Sequence, residues 1–226
     1  MVVLQADGVR KQYPQGDQVV DVLKGVDLRL ERGEIVTLEG PSGSGKTTLL
    51  CILGCLLSPS AGRVLVEGHQ VDAARPGSLW KHRRDSIGFV FQQFNLFPSL
   101  TAAENVAYAL NVKGVRGPKA RGEAERVLGE VGLADRLHFR PRDLSGGQKQ
   151  RVAVARALAG RAPIILADEP TGNLDSEAGG QVLDLFRGLA KREDRALLIA
   201  THDPRVRAVA DRVVTILDGR VRETEG

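Results

Sequence analysis

The order of hydrophobic and polar positions divides the chain into three regions. Short β-branched-rich runs at residues 2–4, 18–22 and 26–30 are broken by turn residues and predict strands of a small sheet. Tyr13-Pro14-Gln15-Gly16-Asp17 predicts a turn between the first two. The stretch 34–39, Glu34-Ile35-Val36-Thr37-Leu38-Glu39, predicts a buried strand, and the mostly apolar 47–57 a helix after it. A Ser/Pro/Gly loop follows at 58–62, then strands at 64–66 and 87–90, so the first ninety residues hold most of the β-rich material. Between 102 and 160 the period becomes helical, through Val106, Leu110, Val127, Leu128, Val131, Leu133 and Leu137, with a break over 114–118. Strand-helix alternation then resumes: strand 164–167, helix 176–192, strands 196–200 and 213–217. That alternation predicts a parallel sheet with helices on its faces, an α/β fold. The hydrophilic tail 222–226 is expected to fray.

Composition narrows this little. The 226 residues suit one domain with subdomains, 42% hydrophobic and 27% charged. Lys plus Arg (32) against Asp plus Glu (28) leaves a net charge of +4, and aromatics are only 4%. A nucleic-acid surface needs more basic clusters interleaved with aromatics, so Lys81-His82-Arg83-Arg84 reads as a solvated face and no nucleic-acid partner is expected. Cys51 and Cys55, four apart on an apolar helix, read as buried small hydrophobes, consistent with a reducing compartment. No signal-peptide pattern is evident. The longest apolar run, 49–57, falls far short of the ~20 residues a membrane span needs.

The chemistry concentrates at three places. Gly40-Pro41-Ser42-Gly43-Ser44-Gly45-Lys46-Thr47-Thr48 has the P-loop spacing G-x-x-x-x-G-K-[ST], with a strand expected before it and a helix after. Its glycines let backbone N–H groups converge on phosphate oxygens, and the helix N-terminus adds partial positive charge. Lys46 is placed to reach the β- and γ-phosphates and the Thr47 hydroxyl to ligate Mg²⁺. Second, the run ending in Asp168-Glu169 delivers two carboxylates at a strand terminus: Asp168 to order Mg²⁺, Glu169 to polarise water as a general base. Third, in Leu144-Ser145-Gly146-Gly147-Gln148, Ser145 reads as an N-cap and the glycines as amides open to an anion. An ordinary capped helix start fits that string equally. Taken singly, Tyr13 reads as a packing aromatic, Gln92 as a polar strand end, His202 as a loop hydrogen-bonder and Asp175 as an N-cap.

Together, in this order, these residues resemble the ATP-binding cassette (ABC) ATPases over nearly the whole chain. Residues 40–47 resemble Walker A, Gln92 the Q-loop, 144–148 the signature, Asp168 and Glu169 Walker B with its glutamate. Asn173-Leu174-Asp175 is similar to the D-loop, His202 to the switch histidine, and Tyr13 to the aromatic that stacks on adenine. The resemblance implies a P-loop NTPase fold with a RecA-like parallel core over a single domain, 1–226. It implies an N-terminal antiparallel β subdomain, roughly 1–35 and 60–90, and an α-helical insert, roughly 95–160. ATP and Mg²⁺ are the implied cofactors, with Thr47, Gln92 and Asp168 around the metal. Lys46, Gln92, Glu169 and His202 are implied in catalysis. The implied nucleotide contacts are Tyr13, Gly40, Pro41, Ser42, Gly43, Ser44, Gly45, Lys46, Thr47, Thr48, Gln92, Asp168, Asp175 and His202. Ser145, Gly146, Gly147 and Gln148 are implied to close the site from a second copy.

The wording of Phe89 to Leu96, Leu100-Thr101, Glu104-Asn105-Val106 and Ala167 to Asp175 resembles the branch serving lipoprotein release, macrolide and peptide export, and the related cell-division ATPase. That implies an ATPase powering export or extraction through a separate membrane permease, at the cytoplasmic face of the inner membrane. The alternative in the same branch is a non-transporting ATPase regulating a cell-envelope or cell-division complex. Phe94, Leu96 and Phe97 are the expected groove edge for a membrane-subunit helix.

Overall fold

The computed structural model describes residues 1–72 and 74–223. Its strands form two sheets. Strands β1 (Val2–Gln15), β2 (Gln18–Glu31), β4 (Ala61–Val66) and β5 (His69–Gln70) make an antiparallel sheet in the order β2-β1-β4-β5. Strands β3 (Ile35–Glu39), β6 (Ile87–Val90), β7 (Ile164–Asp168), β8 (Ala196–Ala200), β9 (Arg212–Leu217) and β10 (Arg220–Glu223) make the larger one, in the order β10-β9-β3-β8-β7-β6. All its pairings are parallel except β9 with β10.

The central strands are apolar on both faces, as a strand buried between two layers must be. In β7, Ile164 and Leu166 point into one core with α1 (Lys46–Leu53) and the antiparallel sheet, while Ile165 and Ala167 point into the other with the helices. β8 alternates likewise, Leu198 to the first and Leu197 and Ile199 to the second. The second core packs α3 (Ala102–Val112), α4 (Gly117–Glu130), α5 (Gly146–Leu158) and α6 (Ser176–Glu193) around Val106, Leu128, Val152 and Phe186.

The helix starts follow local chemistry. Thr101 caps α3 in a reciprocal box with Glu104, and Asp175 caps α6 by accepting from the Ala178 amide at 2.8 Å. Cys51 and Cys55 are free thiols; burial pushes the Cys55 thiol up to about 11, as expected of a buried small hydrophobe.

The structure departs from the sequence reading in four places. The first two strands are a long hairpin reaching Gln15 and Glu31, so Tyr13 lies on the strand and not in a turn. Residues 76–86, expected among β-rich material, form helix α2 (Pro76–Ser86), a polar helix with no apolar stripe to announce it. Ile87–Val90 pairs with β7 in the parallel sheet, not with the N-terminal strands. Arg222 and Glu223 extend β10 where fraying was expected, and residues 224–226 lie outside the described residues.

Candidate functional site

The C-terminal ends of β3, β7 and β8 open onto one cavity of about 500 Å³. Gly40, Pro41, Ser42, Gly43, Gly45, Lys46, Thr47, Thr48, Gln92, Asp168, Glu169 and His202 line it, with Val22 from the hairpin. Gly40 and His202, 162 positions apart in the chain, therefore meet because three parallel strands end side by side. Such a crevice at the carboxyl ends of parallel strands is where open α/β sheets bind ligands. A larger hollow, about 730 Å³, lies between the ends of α4, α5 and α6 and holds none of these residues.

The loop from 40 to 45 turns by left-handed backbone at Gly43 (φ +79°) and Gly45 (φ +107°), and Gly45 is the N-cap of α1. A Cβ on Gly45 would stand 2.9 Å from Leu23 Cδ2 and 3.2 Å from the Val22 carbonyl, so strand β2 also demands glycine there. Ser44 is buried beneath the loop and its Oγ has no hydrogen-bond partner. The Lys46 ammonium donates to the carbonyls of Gly40 (2.7 Å) and Pro41 (3.0 Å), holding its charge within the loop.

The acidic side is equally ordered. Thr47 Oγ1 donates to Asp168 Oδ2 at 2.8 Å. Burial pushes the Asp168 carboxyl up and the Glu169 charge adds to this, while the Thr47 bond and Lys46 oppose them. One hydroxyl and one carboxylate converge here, with the Gln92 amide on the same cavity. Hard oxygen donors of this kind suit Mg²⁺, which is held by one or two carboxylates plus substrate phosphates and not by an all-protein cage. Among the described residues no group of three or more His, Cys, Asp or Glu side chains forms such a cage.

Glu169 adopts a left-handed backbone, φ +46°, which costs a non-glycine residue energy and accumulates at functional sites. Its amide is tied to the Ala200 carbonyl at 2.8 Å. Oε1 lies 2.8 Å from His202 Nδ1, and Oε2 accepts from Thr201 Oγ1 at 3.1 Å. Thr201 escaped the sequence reading; its only signal was its place before His202.

The remaining residues singled out in the sequence stand elsewhere. Tyr13 pairs with Val20 across the hairpin, half-exposed, with Lys11 Nζ 5.1 Å from its ring centre. Asp175 is at the head of α6. Ser145 and Gln148 form a capping box at α5: Gln148 N donates to Ser145 Oγ (3.3 Å) and Ser145 N to Gln148 Oε1 (2.9 Å). The Gly146 and Gly147 amides are thus the first-turn donors without an intrahelical acceptor. None of these four lines the cavity of its own chain.

Gly147 has a second reason to be glycine. A Cβ there would sit 2.6 Å from the Ala178 Cβ on α6, and neither group can swing aside. Gly147→Ala is therefore expected to lower stability by about 1–3 kcal/mol through overpacking. Thermal unfolding checks this: Gly147→Ala lowers the midpoint and Ala178→Gly in the same chain restores part of it. An unchanged midpoint in the single variant would contradict the contact.

Behind Gln92, Phe94 and Asn95 both adopt left-handed backbone, at φ +58° and +48°. Arg156 of α5 holds them, donating from Nη2 to the Phe94 carbonyl at 2.8 Å and from Nη1 to that of Asn95. Asn173 Nδ2 donates to the Gln92 carbonyl at 3.1 Å. This segment is thus braced from α5 on one side and from the loop before α6 on the other.

The family described as "ABC transporter" matches residues 23–172. The "Lipoprotein-releasing system ATP-binding protein LolD 1" of Caulobacter vibrioides is 47% identical over 97% of this chain and 94% of its own length. The "Macrolide export ATP-binding/permease protein MacB 1" of Yersinia pestis bv. Antiqua is 44% identical over 99% of this chain, which spans only 34% of that relative. Among solved structures, the dimeric post-hydrolysis state of the ATP-binding cassette MJ0796 bound to ADP and Pi superposes with a TM-score of 0.91. It is 40% identical, with 99% of each chain covered.

Proposed function

This chain belongs to the ABC transporter family, and from that membership we propose that it binds and hydrolyses ATP as a head-to-tail pair of identical chains driving a membrane permease. The observation that carries the reading is the split site: Lys46, Thr47, Asp168, Glu169 and His202 share one cavity, while Ser145 to Gln148 lie outside it. The solved cassette MJ0796, dimeric with ADP and Pi, supports the pairing.

The P-loop amides and Lys46 take the β- and γ-phosphates of one ATP. Thr47, Asp168 and Gln92 are the residues that would hold Mg²⁺, which neutralises charge on the β- and γ-oxygens when bound. The free Gly146 and Gly147 amides of the second chain face the γ-phosphate, and Tyr13 offers an aromatic face to adenine. Glu169 Oε1 takes a proton from water as its oxygen bonds to the γ-phosphorus. The bond from that phosphorus to the β–γ bridging oxygen breaks, and ADP leaves with the electron pair. The γ-phosphate joins the two chains through charge-assisted bonds, so its loss lets them part.

The permease reading is supported by the relatives' names and by surface chemistry. Leu96 packs into the helical core, but Phe97 stays exposed in edge contact with Tyr108, ring centres 4.8 Å apart. That pair offers an apolar seat for a helix of a membrane subunit at the inner membrane's cytoplasmic face. Among the described residues no helix is long and apolar enough to cross a membrane. The branch resemblance points to export or extraction of a lipoprotein, peptide or drug-like compound, and the names of MacB (macrolide export) and LolD (lipoprotein release) support the drug-like and lipoprotein classes. A role in regulating a cell-envelope complex would use the same ATP chemistry.

The test is phosphate release with MgATP across a range of chain concentrations. Turnover per chain should rise with concentration, since each site needs two copies. A concentration-independent turnover would contradict the paired site.

A further inference from the structure

Glu169 has two carboxylate oxygens, and they are held unequally. Oε1 faces His202, whose side chain is 77% exposed. Oε2 is held by Thr201, which is 1% exposed and whose own amide donates to the Leu38 carbonyl at 3.2 Å. The Thr201 hydroxyl cannot rotate at no cost. It accepts from the Asp203 amide at 3.0 Å, and that amide can only donate, so the single hydroxyl proton is left for Oε2.

Asp203 is anchored in turn. Its Oδ2 accepts from Thr171 Oγ1 at 2.8 Å and from Arg205 Nη2 at 2.7 Å, and its Oδ1 from the Arg205 amide at 2.9 Å. The Arg205 side chain beside it holds the Asp203 carboxyl down to about 2, so the anchor stays charged at neutral pH. Arg205 Nη1 continues to the Ser176 carbonyl at the head of α6, at 3.3 Å. A continuous line of bonds thus runs from the second oxygen of Glu169 to the helix that follows Asp175.

We propose that Thr201 is a positioning residue for Glu169. It fixes Oε2, so that Oε1 is the oxygen turned to the reacting water once His202 moves to the γ-phosphate. Without that bond the side chain, carried on a strained left-handed backbone, swings between two orientations and only one is productive. This rests on the reading of Glu169 as the base of ATP hydrolysis.

Thr201→Val keeps the shape and removes the hydroxyl. Losing one hydrogen bond to a charged group predicts a fall in kcat of about 10–100-fold. The KM for ATP and MgATP-dependent dimerisation should stay as in the parent, because the hydroxyl of Thr201 bonds Glu169 and the Asp203 amide and neither the P-loop nor α5. Thr201→Ser, which keeps the donor, should restore most of kcat; a role in packing alone would favour valine over serine. Thr201→Ala carries the same expectation as valine and guards against a misfit of the added methyl. Turnover within twofold of the parent in both hydroxyl-free variants would overturn the proposal, as would an equal loss in Thr201→Ser. Glu169→Gln is run beside them: full turnover there sinks the base itself, whereas its loss with an unaffected Thr201→Val sinks only the role of Thr201.

Discussion

A Glu169→Gln chain is expected to turn over ATP about 10²–10⁴-fold more slowly than the parent while still binding it. Glutamine fills the same volume at the end of β7 and can still accept from Thr201. It cannot take a proton at neutral pH, so the attacking water keeps its own. The backbone tie from the residue 169 amide to Ala200 does not involve the side chain and should survive the change. With hydrolysis blocked and binding intact, the γ-phosphate persists between the two copies. ATP should therefore shift the variant to a dimer on sizing chromatography, with ADP leaving it monomeric. Turnover near that of the parent would remove Glu169 from the role of base. Lost turnover without an ATP-dependent dimer would instead count against the cross-link formed by the γ-phosphate.

Lys46→Ala should fail earlier, at binding. Its ammonium sits within the phosphate loop, 2.7 Å from the Gly40 carbonyl and 3.0 Å from that of Pro41. Removing it takes away the proposed charge-assisted contact to two phosphates and the tie that organises the loop. Charged hydrogen bonds contribute roughly 1.5–3 kcal/mol each, so two lost contacts predict ATP affinity down by at least about 10²-fold, with no measurable turnover. Calorimetric titration with MgATP checks this. Binding as tight as the parent's would contradict the phosphate role of Lys46. The two variants fail differently: glutamine at 169 traps the ATP-bound pair, whereas alanine at 46 never forms it.

Much of the architecture was legible because it is written locally. The runs at 164–167 and 196–200 are short and apolar, and they became β7 and β8 within a residue. The cap at Asp175 and the start at Ser145 are one-residue signals acting over one turn. Helix α2 was not legible, since Lys81, His82, Arg83 and Arg84 give it no apolar face, and the packing of its Leu79 on the core shared by α1 and the antiparallel sheet is tertiary. Nor could Ile87–Val90 declare its sheet: four apolar residues fit either one, and only pairing with Ile164–Ala167 decides between them.

The site divides along the same line. By itself the sequence determined which groups are present and in what order. A glycine-spaced loop with its lysine, two carboxylates at a strand end, and a serine-glycine helix start are each encoded within a few consecutive residues. Only the tertiary structure decided what those groups touch. Thr47 meets Asp168 from 121 positions away, Glu169 meets Thr201 and His202 from 32 and 33, and Gly147 meets Ala178 across two helices. Such contacts depend on strand order and register, which the whole chain sets together through burial on both faces of one sheet. Local pattern carries no record of that closure. The same limit separates the two halves of the proposed ATP site: the loop at Gly40 and the helix start at Ser145 read alike as phosphate cradles, and only the fold puts the second outside its own chain's cavity.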